Sequence, residues 1–225
     1  MRILPSGTRA LLLELDGVQE VRDWHAALAR AQLPGGVDLV PAARTLLVVT
    51  DPARTPAPVH HQVVPVPALD DLARRLRALQ PVRGRRPEVE CAHADSSRVL
   101  EVPVRYDGAD LAEVAALWGC DVPEVVRRHT GDRWTVAFCG FAPGFGYLVA
   151  DEGGHHWDVP RRDVPRTRVP AGSVGLAGPY TGVYPRASPG GWQLLGRTTL
   201  ELFDATREPP ALLTPGRPVR FVDVT

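Results

Sequence analysis

Lysine is absent from this chain of 225 residues: all 26 basic side chains are arginine. That excludes a Walker-type phosphate loop, a Schiff-base lysine and a biotin-carrying lysine. Cysteine is scarce. Cys91, Cys120 and Cys139 lie far apart with no CxxC pair, so neither a disulfide framework nor a zinc ribbon is indicated, and buried small thiols are expected. There is no apolar run of about 18 residues, and MRILPSG leads into a charged, helix-like segment, not a signal-peptide core. A soluble, cytoplasmic protein without a membrane partner is expected. Net charge is missing as well, since 26 acids balance the arginines. Cutting near residue 94 leaves 12 arginines against 10 acids before the cut and 14 against 16 after it. Neither half has the positive bias of a nucleic-acid binder.

The arginines are unevenly placed. Across residues 161–197 six of them (Arg161, Arg162, Arg166, Arg168, Arg186 and Arg197) face one acid, Asp163. This basic stretch sits inside the slightly acidic half, which points to a local site or a solvated loop and away from a general polyanion surface. Proline is plentiful too, at 23 residues about twice its usual share.

Element patterns divide the chain in two. TRALLLEL (8–15) predicts a strand, and 18–33 a helix through Val21, Trp24, Leu28 and Leu33. Residues 35–50 predict two strands, 68–80 a helix through Leu69, Leu72, Leu76 and Leu79, and 86–94 a strand. The order β-α-β-β-α-β is that of a ferredoxin-like domain over 1–94. Residues 51–68, with five prolines, predict a loop or extended path. After a strand at 98–108, Asp110 with Glu113 and Asp121 with Glu124 have capping-box spacing for two short helices. From residue 133 short apolar runs recur between Pro and Gly clusters, as in an antiparallel barrel or sandwich over 95–225. The fold class expected is α+β.

Three stretches of the second half can carry chemistry. In GFAPGFGYL (140–148), Gly144 belongs to a turn while Phe145 and Tyr147 would line a cleft wall; a turn with core aromatics accounts for the same residues. In PRRDVPRTRVPAGSVG (160–175), prolines stiffen the chain that presents Arg161, Arg162 and Arg166. A guanidinium held in advance grips a carboxylate or phosphate bidentately at less entropic cost. Gly172 and Ser173 would add backbone N–H and hydroxyl donors, a possible anion nest. Against this stands a surface loop whose arginines pair with Asp158 and Asp163. In residues 180–198, Tyr184 and Arg197 would close the cleft, or belong to a hydrophobic turn cluster. The histidine pairs His60-His61 and His155-His156 form no HxH or HExxH pattern, so no metal is expected. His129 ends a predicted helix, and no GxSxG surrounds Ser173.

Five of these stretches, in order, resemble one family: VRYDGADLAEVAALWGCDVPEVVRRHT, WTVAFCGFAPGFGYL, VPRRDVPRTRVPAGSVGLAG, TGVYP and SPGGWQLLGRT. They are similar to the allophanate hydrolase subunit 1 family, also called the carboxyltransferase subdomain C/D or KipI family. The resemblance implies a ferredoxin-like domain followed by a cyclophilin-like β-barrel. It implies a subunit of an ATP-dependent 5-oxoprolinase, which opens 5-oxoproline to glutamate and is inactive alone. Its partners would be a subunit 2 (KipA-type) barrel, with the active site between the two, and a LamB/YcsF-type subunit. ATP with magnesium would act in the complex, on a small anionic substrate. Carried over by position, Arg161, Arg162 and Arg166 would clamp the anion and Gly172 and Ser173 would donate to it. Gly144, Phe145 and Tyr147 would form the wall, with Tyr184 and Arg197 closing it. Arg166, Ser173 and His129, the last as a base, would be the catalytic set. The same family implies two alternatives, a regulatory inhibitor of a sensor histidine kinase and a subunit related to allophanate hydrolase or urea carboxylase. Barrel analogy alone suggests a prolyl isomerase. DEGGHHWDVPRR (151–162) is more polar than the family's pattern before the arginines.

Overall fold

The computed structural model describes residues 1–31, 33, 37–50, 69–81 and 98–225. Two compact units, Met1–Glu90 and Cys91–Thr225, make up the chain.

In the first unit, strands β1 (Arg2–Ser6) and β2 (Ala10–Glu14) form a hairpin, followed by helix α1 (Val18–Arg30). Strands β3 (Val37–Pro41) and β4 (Thr45–Thr50) and helix α2 (Leu69–Ala78) complete it. The sheet order is β1-β2-β4-β3, antiparallel throughout. Strand alternation places Leu11, Leu13, Leu46 and Val48 on one face, where Val21, Trp24 and Leu28 of α1 and Leu72 and Leu76 of α2 cover them. From β2 to α2 this is the ferredoxin-like order. The strand at Arg2–Ser6, unassigned from the sequence, adds an edge beside β2; its pattern is mostly exposed and carries no apolar alternation to reveal it. The predicted strand 86–94 and proline-rich segment 51–68 lie outside the described residues.

The second unit opens with β5 (Leu100–Val104), then α3 (Leu111–Leu117), α4 (Val122–Gly131), β6 (Trp134–Cys139) and β7 (Gly146–Ala150). β8 (Arg166–Val169), β9 (Ser173–Ala177), β10 (Tyr180–Val183), β11 (Ser188–Gly190), β12 (Gln193–Arg197) and β13 (Pro218–Asp223) follow. Seven strands form one sheet in the order β12-β9-β10-β7-β6-β13-β5, and β8 pairs with β11 beside it. The two edge strands meet through an antiparallel bridge between Arg105 and Arg197, so the sheet curls into a barrel. Inside lie Trp134, Leu148, Leu176, Leu195 and Phe221, each at most 1% exposed. Each such side chain contributes about 2 kcal/mol of apolar burial. The chain is thus α+β, with a ferredoxin-like unit and a cyclophilin-like barrel.

Asp121 caps α4, its carboxylate accepting the Glu124 N–H at 2.9 Å as the sequence predicts. Asp110 precedes α3 but makes no side-chain cap, so that part of the capping-box expectation fails. The expectation of buried thiols fails at Cys139, which is exposed; Cys120 is half-buried, and Cys91 lies outside the described residues. Among the described residues no helix is long and apolar enough to cross a membrane.

Candidate active site

The missing cap explains where the Asp110 carboxylate goes. One of its oxygens accepts from Arg162 Nη1 and Arg166 Nη2, each at 2.7 Å, and the other accepts the Leu194 N–H at 2.7 Å. Asp110 is only 2% exposed. Burial alone would raise its carboxyl; the hydrogen bonds from Arg166 and Leu194, with the charges of both arginines, outweigh it and hold the group below the usual carboxylate range. The Arg166 guanidinium is pushed up in turn, chiefly by its hydrogen bond to Asp110. Two guanidiniums on one carboxylate leave a unit of positive charge over, offset among the described residues only by exposed Glu113, 3.8 Å from Arg162. Among the described residues neither Asp158 nor Asp163 pairs with an arginine, so the counter-ion is a residue some 50 positions upstream.

Backbone contacts hold the arginines against an aromatic cluster. Arg162 N–H donates to the Gly191 carbonyl at 2.9 Å, and Arg166 on β8 lies opposite Gly190 on β11. A Cβ at Gly190 would stand 2.4 Å from the Tyr184 hydroxyl, so only glycine admits this approach. Phe145 packs edge-on against Tyr184, Tyr147 and Trp192 with ring centroids 5.0–5.5 Å apart. Phe141 stands at the rim, 58% exposed and with a positive φ of 66°. Together these rings and Gly190–Gly191 enclose a pocket of about 50 Å³. Burial raises the Tyr147 and Tyr184 hydroxyls, against the charge of Arg161, so both are neutral donors near pH 7. Arg161 is exposed and without an ion pair among the described residues. The segment leading into the arginines is anchored: buried Asp132 accepts from His155 Nδ1 at 2.9 Å and from Trp157 Nε1 at 2.6 Å.

Arg162, Arg166, Phe145, Tyr147 and Tyr184, with Arg161 near the two tyrosines, are therefore brought together. The other expected residues are not. Arg197 lies on the barrel seam in a different pocket of about 360 Å³ with Arg105, Thr198 and Thr199, paired to Asp107 at 2.8 Å. Gly144, at φ 83°, serves packing: a Cβ there would be 2.6 Å from Phe203 Cβ. The anion nest does not form, because Gly172 N–H donates to the Tyr184 carbonyl at 2.7 Å and Ser173 N–H to the Pro170 carbonyl at 3.3 Å. His129 is not a base for substrate. It is 0% exposed, with Nδ1 2.7 Å from the Tyr106 hydroxyl and Nε2 2.9 Å from Thr181 Oγ1. Its rings of contact are Trp134, Trp157 and Phe221, and burial lowers its pKa to about 3.

Asp110 is the site residue that sequence reasoning missed. Its position before a helix gave it a cap role, and the one available signal was that six arginines between 161 and 197 have a single acid among them.

A family model, the carboxyltransferase domain, subdomain C and D, matches residues 1–213. The chain belongs to that family. This carboxyltransferase C/D chain is 41% identical over 223 residues to the B-subunit of the 5-oxoprolinase of Escherichia coli O157:H7, covering 96% of this chain and 93% of that one. Among solved structures, TTHA0988 is similar at 38% identity and TM-score 0.69, over 96% of this chain and 40% of the longer neighbour. The urea amidolyase of K. lactis shares the fold at 20% identity and TM-score 0.64, over 99% of this chain and 15% of that one.

Proposed function

We propose that this carboxyltransferase C/D chain is the barrel subunit of an ATP-dependent 5-oxoprolinase, acting in the cytoplasm. One observation carries the reading: 41% identity along nearly the whole length of the E. coli 5-oxoprolinase chain. The site geometry supports it. 5-Oxoproline is a five-membered lactam bearing a carboxylate, and Arg162 and Arg166 offer a surplus positive charge beside a pocket walled by Phe145, Tyr184 and Trp192. The guanidiniums bind the carboxylate, the rings orient the lactam, and the neutral tyrosine hydroxyls donate to developing negative charge.

A pocket of about 50 Å³ is far below the ~300–1,000 Å³ of a complete small-molecule site. On this reading a subunit 2 (KipA-type) barrel supplies the opposing wall and a LamB/YcsF-type subunit completes the hydrolase. Among the described residues no three His, Cys, Asp or Glu gather to hold a metal ion. On this reading ATP with magnesium acts at the level of the assembled complex, where its hydrolysis drives ring opening. The test is reconstitution. This chain alone is expected to be inactive, and the three-subunit mixture to convert 5-oxoproline to glutamate with ATP hydrolysis. Turnover of other lactams or of ureas, with none of 5-oxoproline by a stable complex, would overturn the reading.

A further inference from the structure

We infer that Asp110 is the positioning residue of the anion site, setting two arginines as a single fork; the inference rests on the 5-oxoprolinase reading above. Both guanidiniums arrive at the same oxygen of Asp110, each at 2.7 Å, so the plane of one is fixed relative to the other. The carboxylate is itself immobile. Its second oxygen takes the Leu194 N–H at 2.7 Å, and the Asp110 backbone N–H donates to the Leu194 carbonyl at 3.1 Å. A Cβ at Gly108 would lie 2.2 Å from that same carbonyl oxygen, so the chain reaching Asp110 runs hard against β12.

The fork is held at a buried carboxylate while both arginines stay partly exposed. Asp110 has 3% of its side chain exposed, whereas Arg162 keeps 30% and Arg166 23%. Donor and acceptor capacity is also left unspent here. Of seven buried side-chain polar atoms without a partner among the described residues, four belong to this neighbourhood: Arg162 Nε, Arg166 Nη1, Ser188 Oγ and Gln193 Oε1. Buried polar atoms are seldom left so. One guanidinium neutralises the Asp110 carboxylate; the second, converging on the same oxygen, leaves a positive charge that an anionic ligand can balance.

Two measurements test this. In the reconstituted complex, Asp110→Asn is expected to raise KM for 5-oxoproline about tenfold with kcat within about twofold. Arg166→Ala combined with Asp110→Asn should raise KM no further than Arg166→Ala alone, since the fork is already lost. Unchanged KM in Asp110→Asn, or additive losses in the double variant, overturns the inference. The second measurement needs no turnover: acetate is titrated into the full chain while arginine Nε–Hε NMR signals are followed. Signals of Arg162 and Arg166 should shift together in wild type and separately or not at all in Asp110→Asn. Should that variant fail to fold, Arg162→Lys, which keeps the charge without the planar fork, should abolish the shift of the Arg166 signal. No acetate response in wild type, or an unaltered one in the variants, counts against Asp110. Absent turnover by the wild-type complex counts against the functional reading alone.

Discussion

Arg105 and Arg197 face each other across the barrel seam and exchange both backbone hydrogen bonds, each 2.9 Å long. This pair turns an open sheet of seven strands into a closed barrel and places β12, with Leu194, within reach of Asp110. Closure needs bare backbone at the seam. A Cβ at Gly196 would stand 2.3 Å from the Arg105 carbonyl oxygen. Gly196→Ala is therefore expected to cost about 3 kcal/mol, as overpacking against an unyielding backbone does. Denaturant unfolding measures it, and stability equal to wild type would mean that the seam is not held this tightly.

His129 gives the fold a pH dependence. Burial takes its pKa from 6.5 to about 3, so the folded chain keeps the ring neutral where the unfolded chain protonates it. The contribution is fully present above pH 6.5 and lost as pH falls toward 3, by at most about 1.4 kcal/mol per pH unit. Unfolding free energies at pH 7.5, 6 and 5 should fall more steeply in wild type than in His129→Gln. Parallel slopes would show that the ring is not held neutral.

Arg166 and Arg168 sit two residues apart and should behave differently. Arg168 is exposed with no ion pair among the described residues, so Arg168→Ala is expected to change stability by less than about 0.5 kcal/mol. Arg166→Ala leaves buried Asp110 with one guanidinium and should cost about 2 kcal/mol, less than a complete loss of pairing. Thermal unfolding of both variants decides it; equal effects would contradict the Asp110 geometry.

Phe141 holds a left-handed backbone conformation, φ 66°, that costs a residue of its type about 1–2 kcal/mol. Asparagine tolerates that conformation. Phe141→Asn should keep stability or raise it by up to about 1 kcal/mol while lowering kcat/KM of the complex about tenfold, because the rim ring is lost. A stable variant with full activity would remove Phe141 from the site.

What the sequence disclosed and concealed follows from the range of each interaction. The α1 and α2 stripes, the paired strands of the first unit and the Asp121 cap are local, written in spacings of two to four residues. The fork is not local: Asp110 lies 52 and 56 residues from its arginines, and nothing in its surroundings distinguishes it from a helix cap. Arg197 looked like a neighbour of Tyr184, yet it pairs across the closing seam and so faces another pocket. Gly172 and Ser173 looked free to bind an anion, but their N–H groups are taken by the Tyr184 and Pro170 carbonyls. The capping-box spacing of Asp121 and Glu124 put His129 at the end of a helix; its burial among three aromatic rings depends on β6, β13 and the segment carrying Trp157.

The most direct measurement is 5-oxoproline-dependent ATP hydrolysis by the three-subunit complex, comparing wild type with Arg166→Ala in this chain. The Arg166→Ala protein should stay folded and bound to its partners while losing at least about nine-tenths of its kcat/KM for 5-oxoproline. Full activity in that variant would show that the arginine cluster is a surface feature and that the substrate's carboxylate is held elsewhere.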